Sequence, residues 1–265
     1  MIGLSIAGAP GFQFIDLSTA TPTFGTPVTS PAGEISEDPL IDPIRNFVLS
    51  AAENNNYEIA NVSTAPPAFF EHPVTNAGEL DSSGEHCSTV IALAPAEFTE
   101  PSQVFVADLT QVTFTPGSPA GTWATPATAA QVQTLSESFL SAGASGIAVA
   151  QGGHIGVVSG EFGGNAVTAI ALPTTSGSGT PAIADWVSCA IPGFNNGNDP
   201  HTVTAYQSPN TSDAIALLGN GGATELAVVD LTMMLNTTIV PRTVAGHGCA
   251  SGTLPSTVVS FITVP

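Results

Sequence analysis

Lysine is absent from this 265-residue chain, and only two arginines, Arg45 and Arg242, stand against 21 acidic residues, for a formal net charge of −19. Phosphate backbones are held by clustered Lys and Arg, so nucleic acid is excluded as a partner class. The same shortage disfavours anionic membrane surfaces. A cation or a cationic partner is easier to accommodate, and the simplest role of the charge is to keep the chain in solution. The number of acids is ordinary; it is the missing bases that create the imbalance, which fits halophilic adaptation poorly. Charged residues make up only 9% of the chain, against roughly 25% in an ordinary soluble protein. The surface is therefore solvated mainly by Ser, Thr, Asn, Gln and Gly, an extracellular style of surface.

No apolar run approaches the ~18 residues of a membrane-spanning helix, so membrane insertion is not expected. The N-terminus, Met1-Ile2-Gly3-Leu4-Ser5, lacks the basic region of a signal peptide. An extracellular or cell-surface location is expected, with Met1 replacing a removed leader. Three cysteines, Cys87, Cys189 and Cys249, allow three pairings of one disulfide with one thiol left over.

What the sequence does contain is a repeat. Ser18-Thr19-Ala20-Thr21-Pro22-Thr23-Phe24, followed by Pro27-Val28-Thr29, recurs as Ser63-Thr64-Ala65-Pro66-Pro67-Ala68-Phe69, then Pro73-Val74-Thr75. A second element is a β-rich segment ending in an Asp-Leu-Thr-like turn: Phe14 to Ser18, Ile59 to Ser63, Val106 to Thr110 and Val228 to Thr232, with Val167 to Pro173 as a degenerate copy. Alternating apolar residues running into Asp and Ser or Thr predict a half-buried strand followed by a side-chain-capped turn. A third element is an apolar strand ending in proline: Thr89 to Pro95, Val203 to Pro209 and Thr257 to Pro265, with Leu40 to Pro43 and Ser145 to Ala150 fitting less closely. Its small residues suit strands crowded around an axis.

The proline markers are spaced so that five units of about 53 residues fill the chain, close to the blade length of a β-propeller. The expected fold is all-β: one propeller domain over residues 1–265, with about five four-stranded blades. Six are the alternative if the long third unit, about Glu79 to Leu140, hides an extra one. The chain opens on what read as second and third strands, Ile2 to Ile6 and Phe12 to Ile15. It ends on an apparent inner strand, Thr257 to Pro265, so the ring is expected to close by that strand joining the first blade. Gln131 to Leu140 has weak helical periodicity but is read as strand plus turn.

On these segments, Val104 to Thr110, Leu226 to Thr232 and Asp199-Pro200-His201-Thr202-Val203 before an inner strand, the chain resembles lactonase-like and surface-layer-type β-propellers. The resemblance implies the fold far more than an activity. Many members have seven blades, and this chain is too short for seven of that size.

In a propeller the loops leading into the innermost strands open onto one mouth of the channel. Glu85, His86 and Cys87 precede the strand at Thr89, Asp199 and His201 precede Val203, and His247 and Cys249 precede Thr257. Imidazole, thiolate and carboxylate converging on an axis are suitable ligands for zinc or another transition metal, which could activate water for ester or lactone hydrolysis. Alternatively the carboxylates Glu34, Glu37, Asp38, Glu79, Glu85 and Asp199 could hold a calcium-type cation. Compact ligand motifs such as Cys-x-x-Cys are missing, and a disulfide would remove two thiols. Cys189 with Cys249 is the favoured pair, since both fall in outer-strand or exit-loop segments.

Gly-x-Ser-x-Gly is absent, so no serine-hydrolase elbow is available. Gly219-Asn220-Gly221-Gly222 is expected to be a hairpin turn rather than a phosphate loop. Trp123 and Trp186 are expected to pack blades. The leading expectation is a noncatalytic secreted or surface-associated binding or structural module, with a protein or small-molecule ligand at the channel mouth. The competitors are a metal-dependent hydrolase and a self-associating subunit of a surface layer or filament.

Overall fold

The computed structural model describes residues 2–5, 11–16, 20–29, 36–42, 46–52, 56–63, 68–73, 81–82, 91–96, 103–108, 132–136, 144–150, 154–160, 165–172, 185–194, 203–208, 210–219, 224–244 and 246–265. These residues form five sheets. The first holds β1 (Ile2–Ser5), β2 (Gly11–Asp16), β3 (Thr23–Phe24) and β4 (Val28–Thr29), with β3 and β4 both pairing β2. The second runs β5 (Ser36–Asp42), β6 (Phe47–Ala52), β7 (Asn56–Asn61), β8 (Ala68–Pro73). The third runs β9 (Asp81–Ser82), β10 (Ile91–Ala96), β11 (Gln103–Asp108), β12 (Val132–Ser136). In the fourth, β13 (Ala144–Val149), β14 (Ile155–Gly160), β15 (Ala166–Ala171) and β16 (Asp185–Ala190) form a meander. The fifth begins with β17 (Val203–Gln207), β18 (Ala214–Gly219) and β19 (Glu225–Asp230). After β19 come a short helix α1 (Leu231–Leu235), β20 (Gly248–Thr253), which joins the fourth sheet beside β16, and β21 (Val259–Thr263), which joins the fifth beside β19.

The repeated elements keep fixed places in these sheets. The Asp-Leu-Thr-like element ends β7, β11 and β19, each the third strand of its sheet, and its degenerate copy is the third strand β15. The duplicated Phe element is an outer strand in both copies: Phe24 pairs Ile15, and Phe69 pairs Ala60. Aligned in this way, β2 is a third strand and β1 a second strand, as the opening of the chain predicts. No described strand lies on the other side of β1.

The turn chemistry of the repeat is visible in two copies. Asp230 caps α1 by accepting from the Met233 N–H at 2.8 Å, Leu231 is fully buried, and the Thr232 hydroxyl oxygen accepts from the Ala214 N–H at 2.9 Å. In the other copy the Asn61 side-chain oxygen accepts from the Ser63 N–H at 3.0 Å and from the Ser63 hydroxyl at 2.6 Å. Such short polar side chains compete with the backbone for its own donors, so the strand ends there and the chain reverses.

The described core lies between the fourth and fifth sheets. Strands β18 and β19 alternate in burial, and their inward residues Ala214, Ala216, Leu218, Ala227 and Val229 meet Val157, Val167, Ala169 and Val187. Strands β15 and β16 are buried through their centres on both faces, which the Val-Thr-Ala-Ile run of the one and the Trp-Val-Ser-Cys run of the other allow. Helix α1 closes the cluster by burying Leu231 and Met234. The first strands β13 and β17 adjoin, β13 also meets β9 and β10, and β1 meets β5. Gly219 ends β18 and Glu225 opens antiparallel β19, so the Gly-rich segment joins a hairpin as expected. The expected strand at Gln131 to Leu140 is β12.

Two expectations about the proline-ended strands are corrected. Thr89 to Pro95 is not innermost: β10 is the second strand, with the two-residue β9 on its inner side. Thr257 to Pro265 does not join the first blade; β21 is the outer strand of the fifth sheet, in register from Val259 opposite Val229 to Thr263 opposite Glu225. The physical reason is shared. An apolar run records that a strand pairs and packs, not its distance from the axis, and after Val259 every residue of β21 is exposed.

Candidate functional site

The outer edge of the fourth sheet collects the polar, aromatic and sulfur-bearing side chains of the C-terminal part. Strand β20 returns parallel to β16, with Ser188 opposite Gly248 and Ala190 opposite Thr253 across a register break. The Ser188 N–H donates to the His247 carbonyl at 2.8 Å, and the Leu254 N–H donates to the Ala190 carbonyl at 2.8 Å. A Cys189–Cys249 disulfide links the two strands, the pairing favoured from their positions in the sequence. Beside it lies a cleft of about 440 Å³ whose wall includes Ser188, both cysteines, Thr243, Gly248 and Gly252.

His247 stacks on Trp186, with ring centroids 4.2 Å apart and planes 9° from parallel. Its Nδ1 stands 2.8 Å from the Trp186 carbonyl oxygen. A carbonyl can only accept, so Nδ1 carries the proton and donates. Trp186 is buried, in keeping with its expected packing role. Next to it Asp185, 40% exposed, binds Arg242, 11% exposed, at 3.1 Å. The same Arg242 Nη2 donates to the Leu235 carbonyl at the end of α1, at 3.1 Å. Burial lowers the Arg242 pKa, and Asp185 acts in the opposite direction. The Arg242 Nε and Nη1 are buried and have no hydrogen-bond partner among the described residues.

The disulfide, the ion pair and the ring stack fasten the segment after α1 to β16. The Thr168 hydroxyl donates to the Ser188 hydroxyl oxygen at 3.1 Å, both residues being buried, and no carboxylate is among the described residues lining the cleft. Of the six residues expected to hold a metal, Glu85, His86, Cys87, Asp199 and His201 lie outside the described residues. His247 is placed, in the stack with Trp186. Of the calcium-type candidates, Glu37 and Asp38 lie on β5, while Glu34, Glu79, Glu85 and Asp199 lie outside the described residues. Among the described residues no group of three or more His, Cys, Asp or Glu is placed to share a metal ion.

The other surface of interest is the exposed face of β17, the first strand of the fifth sheet. Thr204 and Tyr206 point outward while Val203 and Ala205 pack on the core, and Tyr206 stays 42% exposed. The Asp185–Arg242 pair and the Trp186–His247 stack are functional-looking features that no motif announces. Their partners are 57 and 61 residues apart, and the one available signal is that Arg242 is one of only two cations in the chain.

No protein-family model matches this chain, and no curated protein matches it. Solved structures do. One is BBS1N, solved in complex with ARL6DN, at 10% identity and a TM-score of 0.50, covering 86% of this chain and 60% of that one. Another is Sqt1 of Chaetomium thermophilum, solved bound to the N-terminus of the ribosomal protein L10, at 14% identity and a TM-score of 0.55, covering 85% of this chain and 54% of that one. The chain thus spans little more than half the length of these neighbours. Both are β-propeller-type proteins, and the likeness extends over most of this chain: its fold is of the β-propeller type.

Proposed function

We propose that this chain is a noncatalytic binding module that holds a basic segment of a partner protein. The observation that carries the reading is the propeller-type fold joined to a net charge of −19. Two neighbours of that fold were solved with protein partners. An acidic scaffold attracts Lys and Arg at long range, and the exposed ring of Tyr206 on β17 offers a cation–π face at short range. The Cys189–Cys249 disulfide supports an oxidising, extracellular setting for this binding.

A fluorescent Lys/Arg-rich peptide titrated into the protein tests the proposal by anisotropy. Saturable binding that weakens steeply with salt and falls several-fold in Tyr206→Ala supports it. An absence of saturable binding at low salt sinks it. Metal retained through purification together with chelator-sensitive ester or lactone hydrolysis would replace it with the hydrolase reading.

A further inference from the structure

Asn236-Thr237-Thr238 is an Asn-x-Thr sequon in the turn that follows α1, and, resting on the extracellular setting read above, we propose that Asn236 carries an N-linked glycan. Two other sequons occur, Asn61-Val62-Ser63 and Asn210-Thr211-Ser212. The motif requires an acceptor amide and a hydroxyl two residues on, both reachable from solvent. Geometry separates the three.

Asn236 is held from both sides. Its N–H donates to the Met233 carbonyl at 3.1 Å, and its own carbonyl accepts from the Ile239 N–H at 3.0 Å and the Val240 N–H at 2.8 Å. Met234 and Val240 are buried, so the turn between them is anchored on the core while Asn236, Thr237 and Thr238 are all exposed. The Asn236 Oδ1 accepts from the Thr238 N–H at 2.9 Å. That bond brings the hydroxyl-bearing residue alongside the amide, and neither the Asn236 Nδ2 nor the Thr238 hydroxyl is hydrogen-bonded among the described residues. It involves three consecutive residues, so the chain can form it before the sheets assemble.

The other two sequons present less. Asn61 is half-buried, and the Ser63 hydroxyl is spent on the Asn61 Oδ1 at 2.6 Å. In the third, the Ser212 N–H donates to the Ser208 carbonyl at 3.2 Å and Ser212 takes a left-handed φ of 61°, which ties it to Ser208 instead of the Asn210 side chain. The surroundings of Asn236 also favour a sugar. All 21 acids lie at or before Asp230, so residues 231–265 hold a single charge, Arg242, which is paired with Asp185. Met233, one turn of helix before Asn236, is nevertheless 37% exposed. A hydrated glycan there supplies the solvation that carboxylates supply elsewhere on the chain.

The co-substrate class is a glycosyl donor on a lipid diphosphate. The Asn236 Nδ2 forms a bond to the anomeric carbon as that carbon's bond to the diphosphate oxygen breaks; the amide gives one proton to a base of the transferase, and the lipid diphosphate leaves.

Secretion of the full chain from a eukaryotic host behind a cleavable leader tests this, read by intact mass and peptide mapping before and after an amidase that releases N-glycans. Expected is a glycan on Asn236 in most of the secreted protein. Thr238→Ala, which removes the hydroxyl but keeps the N–H donated to Asn236, must abolish it, and Thr238→Ser must retain it. If Thr238→Ala is not secreted, Asn236→Asp, which keeps the accepting oxygen and lacks the amide, must abolish it instead. A secreted wild type with an unmodified Asn236 overturns the proposal, as does a glycan found only on Asn61 or Asn210, or one on Asn236 that survives Thr238→Ala. The basic-peptide titration is run on the deglycosylated protein, so its failure counts against the binding reading and not against this one.

Discussion

Asp230 performs two opposed tasks. Its carboxylate caps α1 through the Met233 N–H, which favours the ionised form, yet burial first and the nearby Asp213 second push its pKa above the usual aspartate value. For a carboxyl group raised in the folded state, the folded protein binds the proton more tightly than the unfolded chain. The stability this contributes is complete below the unfolded pKa and is lost as pH rises through the folded one. Asp230→Asn keeps a cap of equal quality and removes the titration. It is therefore expected to equal or exceed the wild type in urea stability at neutral pH and to lose that advantage in acid. Asp230→Ala removes the cap and is expected to cost about 1 kcal/mol. A neutral-pH deficit in Asp230→Asn as large as that in Asp230→Ala would contradict this account.

Arg242 gives a second residue-scale prediction. Removing Asp185 leaves a buried guanidinium without its counter-charge, whereas removing the arginine in favour of an apolar side chain avoids that cost. Because Asp185 is partly exposed, Asp185→Ala is expected to cost about 1–3 kcal/mol, less than for a fully buried pair. Arg242→Met should cost less, and equal losses in chemical denaturation would argue against the desolvation account. Neither pair nor stack was legible in the sequence, because a contact across 57 or 61 residues leaves no local pattern. The capped turns were legible, because Asp230 and Asn61 act on backbone donors two or three residues away.

At the scale of elements, the segment after Asp230 binds the last two sheets together: α1 seals their common core, β20 extends one sheet, and β21 completes the other. The Cys189–Cys249 bridge spans a separation of 60 residues, a loop whose closure corresponds to about 4 kcal/mol in the chain-entropy picture. Replacing both cysteines by serine is expected to lower stability by roughly 2–4 kcal/mol. Backbone amides of β20 should then exchange faster while those of β18 keep their protection; uniform loss across both sheets would show that the bridge does not act locally. The pairing itself was foreseeable from the positions of the cysteines along the repeat. The rank of β10 and β21 within their sheets was not. A strand covered on both faces and a strand at a rim can carry the same Val, Ile, Ala and Thr, and their separation depends on which segment returns to pair.

At the scale of the molecule, the repeat foretold an all-β architecture of mostly antiparallel sheets in which one recurring turn follows the third strands, and the solved neighbours agree on a propeller-type fold. Closure was misassigned for a physical reason: the first sheet, entered at a second strand, and the last apolar strand seemed complementary, but β19 lay nearer in the chain and took the strand. Glu225 and Thr263 face each other in a non-hydrogen-bonded pair of β19 and β21. Their Cα atoms are therefore expected about 4.5 Å apart, within reach of a disulfide. The most direct test is a Glu225→Cys/Thr263→Cys variant made with Cys87→Ser and oxidised. The account predicts an intramolecular 225–263 link in mass spectra beside the intact 189–249 bridge. A failure to form that link, with the thiol at 263 joining instead to one introduced by Ser5→Cys on β1, would contradict it.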